Sequence, residues 1–525
     1  MKKINIVILS ISLSLASLFL NVNLCFAVQE KPILKAQTET ILQLGPLFKD
    51  HMILQRDLQV PVWGKANPNA KITVEFANQK KETTANNEGT WLLYLDALPA
   101  SFESRTMTVS SSMQKNPLFI FDILIGEVWI CSGQSNMQMA VGGVPNIKAL
   151  IPSAANIRSF SVKRTVSFTE TDTCEGEWVT KYPNSAVAFS FAYFLEKYAN
   201  IPVGIILTAW GSSSLEAWMP RDMTETVPHF KTIMDEFDAN IEAQNKIKAI
   251  IDGPKPWSRK DDIYLRRQSN ILYNAMMHPL IPYACRGVVW YQGERNTQSM
   301  FGMLKEPWFS RNSGMLMYGN TLKEWIKNYR KKWNNDNLQF MVIMLPGYGK
   351  TLNTSSDKNP ESPTAHSWAW MRESQLKALE LPNTEVVNTI DLGDVKNIHP
   401  KDKLPIGERL TLLATKNSFD NKIGAHGPKM NHIEQNKNTL VVHFDYAKGL
   451  KTIDGKSPTG FWLSDDSKKW VKATAKIKGT KIVLHSSELS KPLYVRYAFA
   501  GVPKVNLVNE ANLPAYPFRT DTFKP

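Results

Sequence analysis

Cysteine is scarce: the 525 residues hold four, Cys25, Cys131, Cys174 and Cys285. Once an N-terminal leader is removed, Cys131, Cys174 and Cys285 remain. That odd number without metal-ligand spacing excludes a disulfide framework and leaves a single bridge open. The chain has no His-Glu-x-x-His pair, no cysteine and histidine cluster, no P-loop and no dinucleotide glycine fingerprint, so neither a metal nor an organic cofactor is expected. After the N-terminus no segment is long and apolar enough to span a bilayer. No internal repeat or low-complexity tract stands out.

The N-terminus itself, MKKINIVILSISLSLASLFLNVNLCFA, combines Lys2 and Lys3, a long apolar run and the small residue Ala27. This is the grammar of a secretory signal peptide, with cleavage expected after Ala27 and a secreted or periplasmic location. Lipidation at Cys25 is the weaker option, because Asn23 and Leu24 are not the small residues that usually precede a lipidated cysteine. Retention as a membrane anchor is a further alternative. After cleavage no stable membrane partner is expected.

Loss of Lys2 and Lys3 takes the formal charge from +14 to +12, with lysines spread through every region. The densest basic cluster, KNYRKKW at 327 to 333, interleaves aromatics in a way that raises nucleic acid. Trp325, Ile326, Tyr329 and Trp333 recur at helical spacing, however, so the basic residues read as the solvated face of a helix and no nucleic acid is expected. The excess of positive charge favours an anionic substrate through a diffuse field.

At 43% hydrophobic the chain has material for several cores, since single cores seldom grow beyond roughly 250 to 300 residues. After the leader (1–27) and a linker (28–43), residues 44–115 alternate apolar and polar positions in VPVWGKA, KITVEF and GTWLLYL, which reads as a β-sandwich-like domain. Residues 116–425 mix helical patterns, as in 186 to 198, with short apolar strands such as VGIIL, QFMVIML and EVVNTID. That alternation predicts an α/β sheet between helices. Residues 426–525 return to strand patterning in TLVVHFDY, KIVLHSS and LYVRYAFA. Trp63, Trp91, Trp462 and Trp470 suit either a sugar platform or β-sandwich cores, and the core reading is preferred.

Within the middle region, the apolar β-branched run of ILIGEVWICSGQSNMQM (123 to 139) stops at a small polar turn carrying Ser135. A buried strand ending in such a turn is where a nucleophilic serine must sit, beside a base and beside amides that hold an oxyanion. Gly133, Gln134 and Asn136 tolerate a sharp bend. The competing reading is a serine that only caps the next helix.

The string GEVWICSGQSNMQM resembles the nucleophile block of the SGNH hydrolases, and in particular the sialate O-acetylesterase family. Further matches follow in the order that family requires: VGIILTAWGSSSLEAWMP (203 to 220), LYNAMMHPLIPYACRGVVWYQGERN (272 to 296) and IDLGDVKNIHPKDK (390 to 403). The likeness extends to PLFKDHMILQRDLQVPVWGKA near the start and NLVNEANLPAYPFRTD near the end. The resemblance implies a three-layer α/β/α SGNH core with flanking β-rich domains. It also implies a serine esterase acting on acetylated carbohydrate.

His399, in a loop before the rigid Pro400, is the expected base. The family places its catalytic histidine in an Ile-His-Pro segment followed by a lysine, here Ile398, His399, Pro400 and Lys403. SGNH enzymes commonly carry an aspartate three residues before that histidine, where this chain has Lys396, and Asn397 fills another position that is acidic in many relatives. Asp394 is therefore the expected third member. Asp391 and a backbone carbonyl are the alternatives, since either class of acceptor can orient the imidazole, and either aspartate could instead cap a turn.

The expected oxyanion donors are the Ser135 amide, the Gly211 amide and Gln292, the last in the place of the superfamily's asparagine. Ser212 departs from the paired glycines of relatives. Gly211 could merely permit a turn, and Gln292 could merely satisfy buried backbone groups. The residues expected to contact substrate are Gln134, Asn136, Glu294, Asn296 and Arg372, with Glu294 read as a buried organiser rather than the base. Gln375 matches the same pattern. The expected function is serine-dependent hydrolysis of O-acetyl esters on sialic acid. Deacetylation of acetylated xylan is the enzymatic alternative, and a non-catalytic glycan-binding protein is the alternative of another class.

Overall fold

Strand β1 (Leu118–Gly133) belongs to two environments along its sixteen residues. The computed structural model describes residues 41–297, 314–349, 359–363, 367–418 and 424–523. The expected leader, with Cys25, and most of the expected linker lie outside the described residues. At its start β1 alternates exposed Phe119 and Phe121 with buried Ile120. Here it pairs antiparallel with Ser101–Ser111, and Ile53–Gln55 joins it in parallel at Leu124–Gly126. From Ile123 onward every residue is buried and the alternation vanishes, as happens when a sheet is covered on both faces. The sheet therefore runs through the expected boundary at residue 116, because one strand hydrogen-bonds on both sides of it.

The second half of β1 is the centre of a parallel sheet. With β2 (Ile157–Ser161), β3 (Val203–Ala209), β4 (Gly287–Tyr291), β5 (Gln339–Ile343) and β6 (Thr384–Val387), the order is β2-β3-β1-β4-β5-β6. Trp178–Val179 adds an antiparallel edge beside β2. β1 feeds directly into the one-turn helix α1 (Ser135–Gln138).

Helix α2 (Ala186–Ala199) starts at Ser185, whose hydroxyl accepts the Ala188 amide, and stops where Asn200 turns left-handed at φ 51°. It lays Phe191 edge-on against Trp129 of β1, with ring centroids 5.4 Å apart. Helix α3 (Tyr318–Lys332) lays Trp325 against Trp290 of β4 at 4.6 Å. Trp290 is in register with Ser132, three residues beyond Trp129, so the two tryptophans point to opposite faces. α2 and α3 consequently cover opposite faces, and the layering is the expected α/β/α. Helix α4 (Ser367–Leu376) packs beside α3, and helix α5 (Leu404–Ser418) beside α2.

The basic cluster behaves as its helical spacing predicts. Trp325, Ile326, Tyr329 and Trp333 are buried while Lys327 and Lys331 are exposed. Arg330 is buried too, donating to the carbonyls of Leu338 and Pro382. The C-terminal residues form two four-stranded antiparallel sheets, one built on Thr439–Asp445 and Lys481–His485, the other on Phe461–Ser464 and Tyr494–Tyr497. Of the tryptophans in the β regions, Trp91 is buried, Trp63 sits edge-on to Phe48, and Trp470 carries the Arg496 guanidinium at 4.3 Å. Among the described residues no helix is long and apolar enough to cross a membrane.

Candidate active site

The loops after β1, β3 and β4 meet at the carboxyl ends of three adjacent strands. In open α/β sheets this is where the chain changes direction and a crevice opens. The turn after β1 is pinned on both sides: the Trp210 amide donates to the Gly133 carbonyl at 3.0 Å, and the Gln134 amide donates to the Tyr291 carbonyl at 3.0 Å. Gly133 has φ 135°, and a Cβ there would stand 2.2 Å from the Tyr291 carbonyl oxygen, so only glycine fits. Ser135 thus starts α1 in a fixed orientation. As the first residue of a helix its amide lacks an intrahelical partner, and among the described residues nothing accepts from it.

The loop after β6 brings a histidine to this serine. His399 Nε2 lies 2.8 Å from Ser135 Oγ, a full hydrogen bond across 264 positions of sequence. The loop is shaped by its own side chains. Asp394 Oδ1 accepts the amides of Lys396 and Asn397 at 2.6 and 3.0 Å, and Asn397 Oδ1 accepts the His399 amide at 2.9 Å. Asp394 is therefore not brought to His399: its carboxylate builds the turn that presents the imidazole. Asp391 is not brought there either, being held by both terminal nitrogens of Arg409 at 2.7 and 2.6 Å. Among the described residues, none accepts from His399 Nδ1.

Asn136 ties the two loops together. Its Nδ2 donates to Glu294 Oε1 at 2.5 Å and to the Ile398 carbonyl at 3.0 Å, while its Oδ1 accepts from Lys403 Nζ at 2.6 Å. Burial drives Glu294 above the ordinary carboxylate range, with partial relief from the Asn136 bond. Burial likewise pushes the Lys403 ammonium down to about 7, against the pull of Glu294 and Asp402. His399 is lowered by burial and then by the Lys403 charge.

These causes set a pH expectation. The imidazole must be neutral to accept a proton, and its lowered value keeps it neutral below the ordinary histidine range. The acid limb of kcat/KM is expected below pH 6.5, the ordinary histidine value. Lys403 is charged throughout that acid range, so Lys403→Met is expected to move the limb to higher pH. A pH profile of both proteins, with an NMR titration of the imidazole, checks it. A limb that stays in place or moves lower would remove Lys403 as a cause.

The expected oxyanion donors are only partly free. The Gly211 amide donates to Gln138 Oε1 at 2.7 Å, so a side-chain carbonyl from the same helical turn occupies it. Gly211 lies tight against the nucleophile: a Cβ there would be 3.2 Å from Ser135 Cβ. Ser212 adopts φ 62°, the left-handed conformation that glycine enters at lower cost. Gln292 is fully buried, and its Nε2 is shared among Gln134 Oε1 (3.1 Å), the Ser213 carbonyl (3.2 Å) and Asn296 Oδ1 (2.8 Å).

The residues expected on the substrate are engaged with other protein groups around Ser135. Gln134, Asn136, Glu294, Asn296 and Arg372 are all buried. Asn296 donates to the Glu216 carboxylate and accepts the Leu215 amide. Arg372 donates to the carbonyl of Ala500 in the C-terminal region, and burial pushes its guanidinium down to about 9. Gln375 accepts the Leu345 amide and donates to the Gln292 carbonyl. Sequence reasoning missed Gln138, although its place three residues after Ser135 on a helical turn was a usable signal.

A serine hydroxyl on an imidazole nitrogen, beside an unpaired helix-start amide, is an arrangement that performs acyl transfer. A model of the family described as carbohydrate esterase, sialic acid-specific acetylesterase, matches residues 125–252 and 255–411, more than half of the chain. The sialate O-acetylesterase of Mus musculus is 27% identical over 506 residues, covering 86% of this chain and 88% of that protein. The sialate O-acetylesterase of Homo sapiens is 25% identical, covering 83% and 82%. Among solved structures, a carbohydrate acetylesterase from Xanthomonas citri superposes with a TM-score of 0.76 at 27% identity, covering 92% of this chain and all of that one.

Proposed function

Because the chain belongs to the carbohydrate esterase family of sialic acid-specific acetylesterases, we propose that it releases acetate from O-acetylated sialic acid, with Ser135 as nucleophile and His399 as general base. The observation that carries the roles is the 2.8 Å contact between His399 Nε2 and Ser135 Oγ. Ser135 Oγ bonds to the acetyl carbon as its proton passes to Nε2. The carbonyl electrons move onto oxygen, which the amides of Ser135 and Gly211 receive, the latter after Gln138 withdraws. Collapse expels the sugar oxygen, which takes the proton from Nε2. Water then cleaves the acetyl enzyme by the same steps reversed. The N-terminal 27 residues act as an export signal in this reading, so the enzyme meets glycans outside the cytoplasm.

The substrate follows from the family and from the net positive charge of the chain, which suits an anionic sugar acid. Acetate release by the purified protein on 9-O-acetylated sialic acid and on acetylated xylan oligosaccharides tests it. Faster release from the sialic acid is expected, as a difference in kcat/KM. Release from xylan alone would move the substrate to plant polysaccharide and leave the serine chemistry intact.

A further inference from the structure

One side chain beside the nucleophile has hydrogen-bond donor capacity to spare, and it is not the glutamine that replaces the superfamily's asparagine. We propose that the side-chain amide of Gln134 is the third oxyanion donor and that Gln292 is a positioning residue that holds it in place. The proposal rests on Ser135 being the nucleophile.

The orientation of both amides follows from backbone groups that have no choice of role. The Arg295 amide can only donate, and it does so to Gln134 Oε1 at 3.2 Å, joined by Gln292 Nε2 at 3.1 Å. The oxygen of Gln134 is therefore on that side and its NH2 on the other, where Ser135 Oγ lies 3.5 Å away. The Ser213 carbonyl can only accept, and it takes a proton from Gln292 Nε2. Rotating the Gln134 amide by a half turn would set donor against donor at the Arg295 amide, and rotating that of Gln292 would set acceptor against acceptor at the Ser213 carbonyl.

Counting protons then separates the two glutamines. Gln292 Nε2 has two protons and three acceptors around it, while its Oε1 accepts the Tyr318 hydroxyl at 2.9 Å. To serve an oxyanion it would have to abandon a buried acceptor, and its side chain has no exposed surface. Gln134 Nε2 has two protons and, among the described residues, one acceptor at a distance too long for a full bond. As Oγ bonds to the acetyl carbon, the developing oxyanion comes within reach of that NH2. A contact weak in the ground state and strong in the transition state acts on kcat rather than on KM.

The test uses the purified protein on 4-nitrophenyl acetate, so that the identity of the sugar plays no part. Gln134→Ala is expected to lower kcat by about 10²- to 10³-fold with KM little changed. Gln292→Ala is expected to lower kcat by less, because the Arg295 amide still holds Gln134. The double variant is expected to match Gln134→Ala alone, since the second glutamine acts through the first. Gln134→Glu keeps the acceptor for both clamps and replaces only the donor. With the carboxylate ionised it should lose kcat and the rate of fluorophosphonate labelling, and a thermal melt beside the wild type separates that loss from any cost of the buried charge. Losses that multiply in the double variant, a larger loss for Gln292→Ala than for Gln134→Ala, or a Gln134→Glu enzyme with wild-type kcat would each overturn the proposal. A wild type whose turnover survives Ser135→Ala overturns the nucleophile reading and this proposal with it. A Ser135-dependent enzyme indifferent to Gln134 overturns this proposal alone.

Discussion

Replacing Ser135 by alanine is expected to lower acetate release by about 10⁴- to 10⁶-fold, and replacing His399 by alanine to cost a similar amount. The double variant should be no slower than either single one, because hydroxyl and imidazole act as a unit and the second loss finds nothing left to remove. Neither change should disturb folding. Ser135 is half-buried and its hydroxyl is bonded to His399, which is itself half-buried, so no core volume is emptied. Initial rates beside thermal melts check this, and labelling by a fluorophosphonate should disappear in Ser135→Ala. The same series tests whether a carboxylate belongs to the machinery. Where an aspartate orients a catalytic imidazole, amidation costs about 10⁴-fold in kcat. Asp394→Asn keeps the oxygen that accepts the Lys396 and Asn397 amides, so its rate should stay close to wild type. A collapse in that variant would put Asp394 on the imidazole after all.

The pairing of Ser135 with His399 was legible through the resemblance of their two segments to the SGNH blocks, whereas the glycine at the strand end before the serine and the proline after the histidine made each only a candidate. The parallel strands were legible as continuous apolar runs, and the basic cluster as a helix from the spacing of its aromatics. What could not be read was which neighbour each polar group chooses. Asp394 and Asp391 lie close to His399 in sequence, yet one is taken by turn amides and the other by Arg409, a partner eighteen residues away. Gln134 and Gln292 have identical donors and acceptors, so residue type alone cannot assign the oxyanion role. Only the fixed polarity of the Arg295 amide and the Ser213 carbonyl separates them. Four of the expected substrate contacts, Asn136, Glu294, Asn296 and Arg372, are engaged with other protein groups for a related reason. Amide and carboxylate side chains that satisfy one another in a buried frame look, in sequence, the same as those that would meet a sugar.

Replacing Asp521 by asparagine is expected to lower stability by about 3 to 5 kcal/mol, the cost of leaving a buried charge without its partner. The Asp521 carboxylate takes two parallel bonds from Arg496, at 2.7 and 2.8 Å, and both side chains are essentially unexposed. Burial alone would raise this carboxyl, but the bonds and charges of Arg496 and Arg519 hold it below the ordinary carboxylate range. Its contribution is therefore present above that range and is lost as the pH falls through the lowered value. The gap between wild type and Asp521→Asn should accordingly narrow on acidification. The consequence reaches the site through helix α4. Arg519 binds Glu373 of that helix at 2.8 Å, Arg372 of the same helix binds the Ala500 carbonyl, and Gln375 donates to the carbonyl of Gln292. Loosening the C-terminal strands should then loosen the support under Gln292 and lower kcat along with the melting temperature. Hydrogen exchange over residues 494 to 523 and over α4 separates this route from global unfolding. Replacing the pair together, as Arg496→Met with Asp521→Leu, should recover much of the stability, because neither charge is then stranded. An Asp521→Asn protein that melts with the wild type would show that the pair bears no part of this support.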